Sequence, residues 1–375
     1  MNIGYFIESS CIAGAQKSLY LLLKYTDKKY NNYVFCPDDG PYFEKFASVS
    51  KKVITLNLNK RFDIKEIYRI RNLIKEYNLD IINCQTPKIG IWARLATFFL
   101  LDKPYIIMTI HGFGFRAYLE RTKTGFYDRT RKRILFILER FLDLFTDYFI
   151  FVSKNDYEKS IKNSFYPTPK MRYIPNGIEL IDPLTITIPK EIKKNNKDIF
   201  RVGYIGRFSI QKSVSVLVKA CIELLKENYN IECILVGDGE EKEKIISLIE
   251  GSGYKNKFIF TGEVFDVMPY IKTFDTLVLP SLWEGLPHIL IEAGLLGIPA
   301  IASDVDGNKE IIIDGYNGFL FPSNDINSLK SRLKILIDNP NKLYEFSINI
   351  KDTITKYFDI TKVINSYETF YNTLF

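Results

Sequence analysis

A chain of 375 residues with 46% hydrophobic and 25% charged side chains has the composition of a globular protein of two or three domains, which excludes a disordered or fibrous chain. Its net charge of +7 is unevenly placed, with 29 Lys plus Arg against 17 Asp plus Glu up to Ile178 and 22 against 27 beyond it. Five cysteines stand singly, with no Cys-x-x-Cys pair, and the two histidines, His111 and His288, are far apart; this argues against a disulfide scaffold or a zinc site and for reduced thiols in the cytoplasm.

The chain begins Met-Asn-Ile-Gly-Tyr-Phe-Ile-Glu, with no basic run before its apolar stretch, and so reads as a first β-strand and not as a secretory signal. Apolar runs follow at Ile3–Ile7, Tyr33–Cys36, Val53–Leu56, Ile81–Asn83, Tyr105–Thr109 and Tyr148–Val152, separated by amphipathic stretches of helical length. That alternation predicts a mostly parallel sheet covered on both faces. The most apolar later segment, Ile134 to Val152, carries Glu139, Arg140, Asp143 and Asp147, so no membrane span is expected. Arg116 to Arg140 holds eight basic and three acidic residues among Tyr118, Phe126, Tyr127 and Phe136. Such a stretch suits either a solvated helix or contact with an anionic membrane face. No nucleic-acid-binding module accompanies the charge, so no nucleic-acid partner is expected.

A polar stretch with Asp182-Pro183 and Pro189, from Glu179 to Asp198, has the composition of an interdomain connection. A second series of runs then appears at Arg201–Ile205, Ile231–Val236, Phe258–Thr261, Thr276–Leu279, Ala300–Ala302 and Gly318–Leu320. The last stretch, from about Asp359, spaces Ile360, Val363, Ile364, Tyr367 and Phe370 for a closing helix. The expected fold class is therefore α/β with two doubly wound domains, residues 1–178 completed by 359–375, and residues 179–358.

The most informative segment runs from Ser281 to Glu292, where Glu284 and Glu292 stand eight positions apart across a strand-to-helix junction. Pro287 suits a first helical position, and the free amides beyond it, with the positive end of the helix dipole, suit a phosphate. At a helical rise of about 1.5 Å per residue the two carboxylates lie about 12 Å apart or more, beyond the roughly 5 to 9.5 Å separations of glycoside hydrolases. They are either parts of one long binding site or a loop cap and a solvated helix residue. Other loops fall at carboxyl ends of predicted strands, where doubly wound sheets bind ligands. Gly206-Arg207 and Lys212 place two cations there, as diphosphate partners or as salt-bridging surface residues. Gly237-Asp238-Gly239 is a tight turn or a close backbone approach, and His111 after the fifth strand is a satisfied polar residue or a ligand group. Gly14 opens the first helix, but Gly-x-Gly-x-x-Gly is absent. Asp304-Val-Asp306 offers an acidic triplet too common to carry a metal site by itself.

Seven elements in order, Thr109-Ile-His-Gly112, Ile174-Pro-Asn-Gly177, Gly206-Arg207 to Lys212, Leu235-Val-Gly-Asp-Gly239, Phe260-Thr-Gly-Glu-Val264, Glu284 to Glu292 and Ala302-Ser-Asp to Glu310, resemble the family-4 retaining glycosyltransferases of the GT-B fold over nearly the whole chain. The resemblance implies two Rossmann-like domains facing across a cleft, a nucleotide-sugar co-substrate taken as a UDP-sugar, and no metal or other cofactor. It further implies that Arg207 and Lys212 hold the donor diphosphate, and that Glu292 binds the ribose. Glu284, with backbone amides near Leu286, Pro287, His288 and Ile289, would position the donor sugar and β-phosphate, while His111 faces that sugar. Gly14, Gly206 and Gly237 would allow close approach, and Val264 would meet the base. The first domain would take a saccharide acceptor, polyprenyl-diphosphate-linked, in bacterial surface polysaccharide synthesis, with the enzyme cytoplasmic or peripheral on the inner membrane's cytoplasmic face. Asn83 and Gln85, where relatives acting on lipid-linked sugars often carry histidines, and Asn308 after Gly307 depart from the pattern. A GT-B phosphorylase, a sugar-nucleotide epimerase and a non-catalytic nucleotide-sugar-binding scaffold are the alternative readings.

Overall fold

The computed structural model describes residues 1–60, 62–98, 100–112, 137–192 and 198–375. The chain divides into two compact units, Met1–Gly177 with Ile360–Phe375, and Ile178–Asp359. The basic stretch expected over 116–140 lies outside the described residues through 136, as does the Lys-Lys-Asn-Asn-Lys run at 193–197.

The first unit is a seven-stranded parallel sheet of β1 (Asn2–Phe6), β2 (Asn31–Cys36), β3 (Lys52–Thr55), β4 (Ile81–Cys84), β5 (Tyr105–Ile110), β6 (Tyr148–Phe151) and β7 (Met171–Tyr173), in the order β3-β2-β1-β4-β5-β6-β7. Its central strands are apolar on both sides because helices cover both faces. On one face Ile3, Tyr5, Ile81, Ile107 and Ile150 form a core with the helix Ile360–Asn372, whose Ile360, Val363, Ile364, Tyr367, Phe370 and Tyr371 are all buried. Each such side chain contributes about 1.5–3 kcal/mol of transfer free energy, enough to hold the chain's last helix on this sheet. On the other face Phe6, Ile82, Cys84, Trp92 and Met108 pack with the helices Ile64–Glu76 and Pro87–Ala96. Arg94, fully buried, reaches Glu139 at 3.1 Å and so ties the second of these helices to residues 137–142.

The second unit is a six-stranded parallel sheet of β8 (Phe200–Ile205), β9 (Ile231–Val236), β10 (Phe258–Gly262), β11 (Thr276–Leu279), β12 (Ala300–Ser303) and β13 (Gly318–Phe321), ordered β10-β9-β8-β11-β12-β13. The stretch expected as a connection is held onto this unit: Lys272 Nζ donates to the carbonyls of Pro183 and Ile186 at 2.8 and 3.0 Å, and Arg201 Nη1 to that of Ile192 at 2.6 Å. Both sheets are doubly wound, as the alternation of apolar runs predicts.

Candidate active site

In each sheet the strand order reverses at one place, and there the helices on either side diverge and leave a crevice at the strands' carboxyl ends. In the second unit that point lies between β8 and β11, which pair in parallel. The loop leaving β8 carries Gly206, Arg207 and Lys212, and the loop leaving β11 carries Ser281 to Pro287. Topology thus brings together two segments 72 residues apart.

Side-chain chemistry then clamps them. Lys212 Nζ lies 2.5 Å from Glu284 Oε1, and Ser281 Oγ donates to the same oxygen at 2.5 Å. Gln211 Nε2 donates to the Trp283 carbonyl at 2.9 Å, and the Leu282 amide to the Gln211 carbonyl at 2.7 Å. Glu284 is buried, so its charge needs these partners. Tyr204 lies beneath the clamp, donating to the Arg207 carbonyl at 2.9 Å. Burial first, and then the Glu284 charge, push its phenol well above the ordinary tyrosine range, so it remains a neutral donor. Arg207 is exposed and makes no ion pair among the described residues.

The neighbouring turns are drawn in by backbone contacts. Gly237 has φ +134°, and a Cβ there would lie 2.1 Å from the Gly206 carbonyl oxygen, so only glycine allows the β8 and β9 loops to touch. The Phe208 amide donates to the Asp238 carbonyl at 2.8 Å, and the Gly237 amide to that of Gly262 at 2.8 Å. Gly262 closes β10, and Val264, half-buried, follows it. From β12, Ser303 Oγ donates to the Ser281 carbonyl at 2.5 Å, and the buried Asn308 amide donates to the Ser303 carbonyl at 2.9 Å. Asn308, a departure in the sequence, therefore braces the β11 loop.

The helix after that loop begins at His288 and runs to Leu295. Pro287 precedes it with ψ 115°, which corrects the expected first helical position by one residue: its backbone is extended, and its carbonyl accepts from Leu290 N at 3.2 Å as an N-cap would. His288 and Glu292 stand one turn apart on one helix face and both are buried, while Leu286 is buried and Ile289 half-buried. A solvated role for Glu292 is thereby overturned.

In the first unit the reversal lies between β1 and β4. Gly14, exposed, starts the helix Gly14–Tyr25 after the β1 loop, which is fixed by Asp39: its Oδ1 accepts from the Ser10 amide at 2.6 Å and from Ser10 Oγ at 2.8 Å. His111 follows β5, and its Nε2 lies 2.7 Å from Gln85 Oε1 at the end of β4. Loss of solvation lowers the His111 pKa to about 4, so the imidazole is uncharged at neutral pH. Ser281, Ser303, Gln211, Asn83 and Gln85 were not legible as site residues. Small polar side chains at strand ends carry no periodic signal, and only their placement reveals them.

Two family models match successive parts of the chain, that of Glycosyltransferase Family 4 over residues 12–181 and that of Glycosyl transferases group 1 over residues 186–353. An Escherichia coli protein named UDP-Gal:alpha-D-GlcNAc-diphosphoundecaprenol alpha-1,3-galactosyltransferase is 26% identical, aligning over 92% of this chain and 89% of its own. The O-antigen biosynthesis glycosyltransferase WbnH of the same species is 28% identical over 83% of each chain. Among solved structures, HepE of Anabaena in complex with UDP-glucose superposes with a TM-score of 0.82 at 21% identity, covering all of both chains. With both reversal points built as the fold requires, and both halves matched in the expected order, the chain belongs to the family-4 glycosyltransferases of the GT-B fold.

Proposed function

We propose that this glycosyltransferase moves a sugar from a UDP-sugar to a lipid-linked saccharide in surface polysaccharide synthesis, with retention of anomeric configuration and without a metal. The observation that carries the reading is the Lys212–Glu284 clamp at the β8–β11 reversal, directly before a helix whose first amides face no intrahelical acceptor. Lys212 and the exposed Arg207 would neutralise the diphosphate as the sugar leaves, and Glu292 would accept from the ribose hydroxyls. Glu284 would align the donor sugar, with Gly206 and Gly237 letting the backbone approach and Val264 meeting the base. In the first unit, His111 and Gly14 would serve sugar binding at the carboxyl ends of that sheet's strands. The names of the E. coli relative and of the HepE complex support a uridine donor, and the relative's name supports an undecaprenyl-diphosphate acceptor.

The reaction needs no protein base in this account. The anomeric C–O bond to the β-phosphate breaks, the acceptor oxygen bonds to the same face, and the acceptor's proton passes to a β-phosphate oxygen. The enzyme supplies alignment and leaving-group stabilisation. Steady-state transfer from UDP-glucose or UDP-galactose to a polyprenyl-diphosphate-linked N-acetylhexosamine, with NMR of the product anomer, tests this. Glu292→Ala is expected to raise the donor KM about tenfold, the loss of charge-assisted hydrogen bonds. Glu284→Ala should chiefly lower kcat, by about 10²-fold. The reverse pattern, or an inverted product, overturns the roles.

A further inference from the structure

Behind His111 runs a chain of buried polar side chains that the diphosphate site does not use and of which only Thr109 belongs to one of the seven motifs. Gln85 Nε2 donates to Asn83 Oδ1 at 2.8 Å, and Thr109 Oγ1 donates to the same oxygen at 2.8 Å. Asn83 Nδ2 donates to the Tyr371 hydroxyl at 3.0 Å, and Tyr371 meets Tyr5 at 3.4 Å. Asn83, Gln85, Thr109, Tyr5 and Tyr371 are all buried. Because Asn83 Oδ1 is taken by two donors and Gln85 spends its NH₂ there, Gln85 turns its carbonyl oxygen to His111. An amide oxygen only accepts, so His111 Nε2 must carry the ring proton. Nδ1 is then a bare acceptor; it is buried and has no hydrogen-bond partner among the described residues.

We infer that Gln85 is a positioning residue: held by Asn83 and, through it, by Tyr371 of the last helix, it locks His111 as the Nε2–H tautomer and leaves Nδ1 as the ring's acceptor nitrogen. The effect expected on turnover rests on the transferase reading above; the tautomer lock does not. Neutral imidazole accepts only at its unprotonated nitrogen, so the direction of the Gln85 amide decides which ring nitrogen of His111 donates and which accepts. The two amides, Asn83 and Gln85, thus have a defined consequence. A histidine at position 85 could ionise, whereas an amide keeps one polarity at every pH.

The chain holds only two histidines, so ¹⁵N-histidine labelling of the full-length protein gives two sets of ring signals, assigned with a His288→Gln variant. The wild type is expected to show a slowly exchanging ring N–H at His111 Nε2 and an unprotonated Nδ1. Gln85→Met, which keeps the volume but accepts no hydrogen bond from the ring, should expose that proton to exchange; Gln85→Glu, which still accepts, should retain it. With UDP-glucose and UDP-galactose as donors, Gln85→Met should lower kcat about tenfold with donor KM within twofold, and Gln85→Glu should recover most of it. A wild-type proton on Nδ1, an unchanged Nε2–H signal in Gln85→Met, or full kcat in that variant overturns the inference. If the wild type turns over no nucleotide sugar, the transferase reading fails, and the ring signals still decide the tautomer lock.

Discussion

Lys212→Ala is expected to lower kcat/KM for UDP-sugar turnover by about 10²–10³-fold, the cost of removing one preorganised partner of developing charge. Two effects act together. The ammonium that would neutralise the leaving diphosphate is gone, and Glu284, only 6% exposed, keeps Ser281 as its remaining hydrogen-bond donor at that oxygen. An unpaired carboxylate at that depth costs stability, and it repels the dianion it formerly helped to seat. Lys212→Arg should recover part of the rate, since it keeps the charge but not the point geometry. Steady-state kinetics with the donor the wild type uses faster decide this: a Lys212→Ala value within threefold of wild type would remove the clamp from the account.

Gly307→Ala is expected to be nearly as damaging for a purely steric reason. Gly307 has φ −71°, which alanine adopts freely, so the backbone conformation is not the obstacle. Space is, because a Cβ there would lie 1.1 Å from the Gly285 carbonyl oxygen and 2.3 Å from its carbon, and backbone atoms cannot rotate aside. The β11 loop must shift, carrying Glu284 away from Lys212. The expected costs are about 3 kcal/mol of stability from overpacking and about 10²-fold in kcat/KM from misalignment. Gly253→Ala provides the contrast: its φ of +80° strains alanine by about 1–2 kcal/mol, yet no atom lies within 4 Å and activity should persist. Chemical denaturation and kinetics of both variants separate lost fold from lost site, and wild-type kinetics in Gly307→Ala would contradict the contact.

The strands were legible because each buried run is short, rich in Ile, Val, Leu and Phe, and bounded by glycine, proline or charge. The last helix was legible because Ile360, Val363, Ile364, Tyr367 and Phe370 recur on one face, and all are buried against the first sheet. β7 escaped because Met171–Tyr173 is three residues long, pairs on one side only and turns Tyr173 outward, so no apolar run marks it. The junction at Pro287 was legible to within one residue, since proline's fixed φ serves an N-cap and a first helical position alike. Pairwise geometry was not legible. Nothing in the spacing of Gln211, Lys212, Ser281 and Glu284 says that they meet, because that follows from which strands lie side at side where the order reverses. Asn83 and Gln85 read only as departures from a pattern, and their role emerges from the hydroxyls of Thr109 and Tyr371 that flank them.

The claim beneath all of this is that a diphosphate anchors the ligand in the second unit, with the nucleoside contributing less. Calorimetric titration of the full-length protein with UDP and, separately, with uridine tests it most directly. The account predicts that UDP binds at least about a hundredfold more tightly than uridine, the worth of two charge-assisted contacts, and that Arg207→Ala removes about tenfold of that difference. Equal affinities for UDP and uridine in the wild type would contradict it.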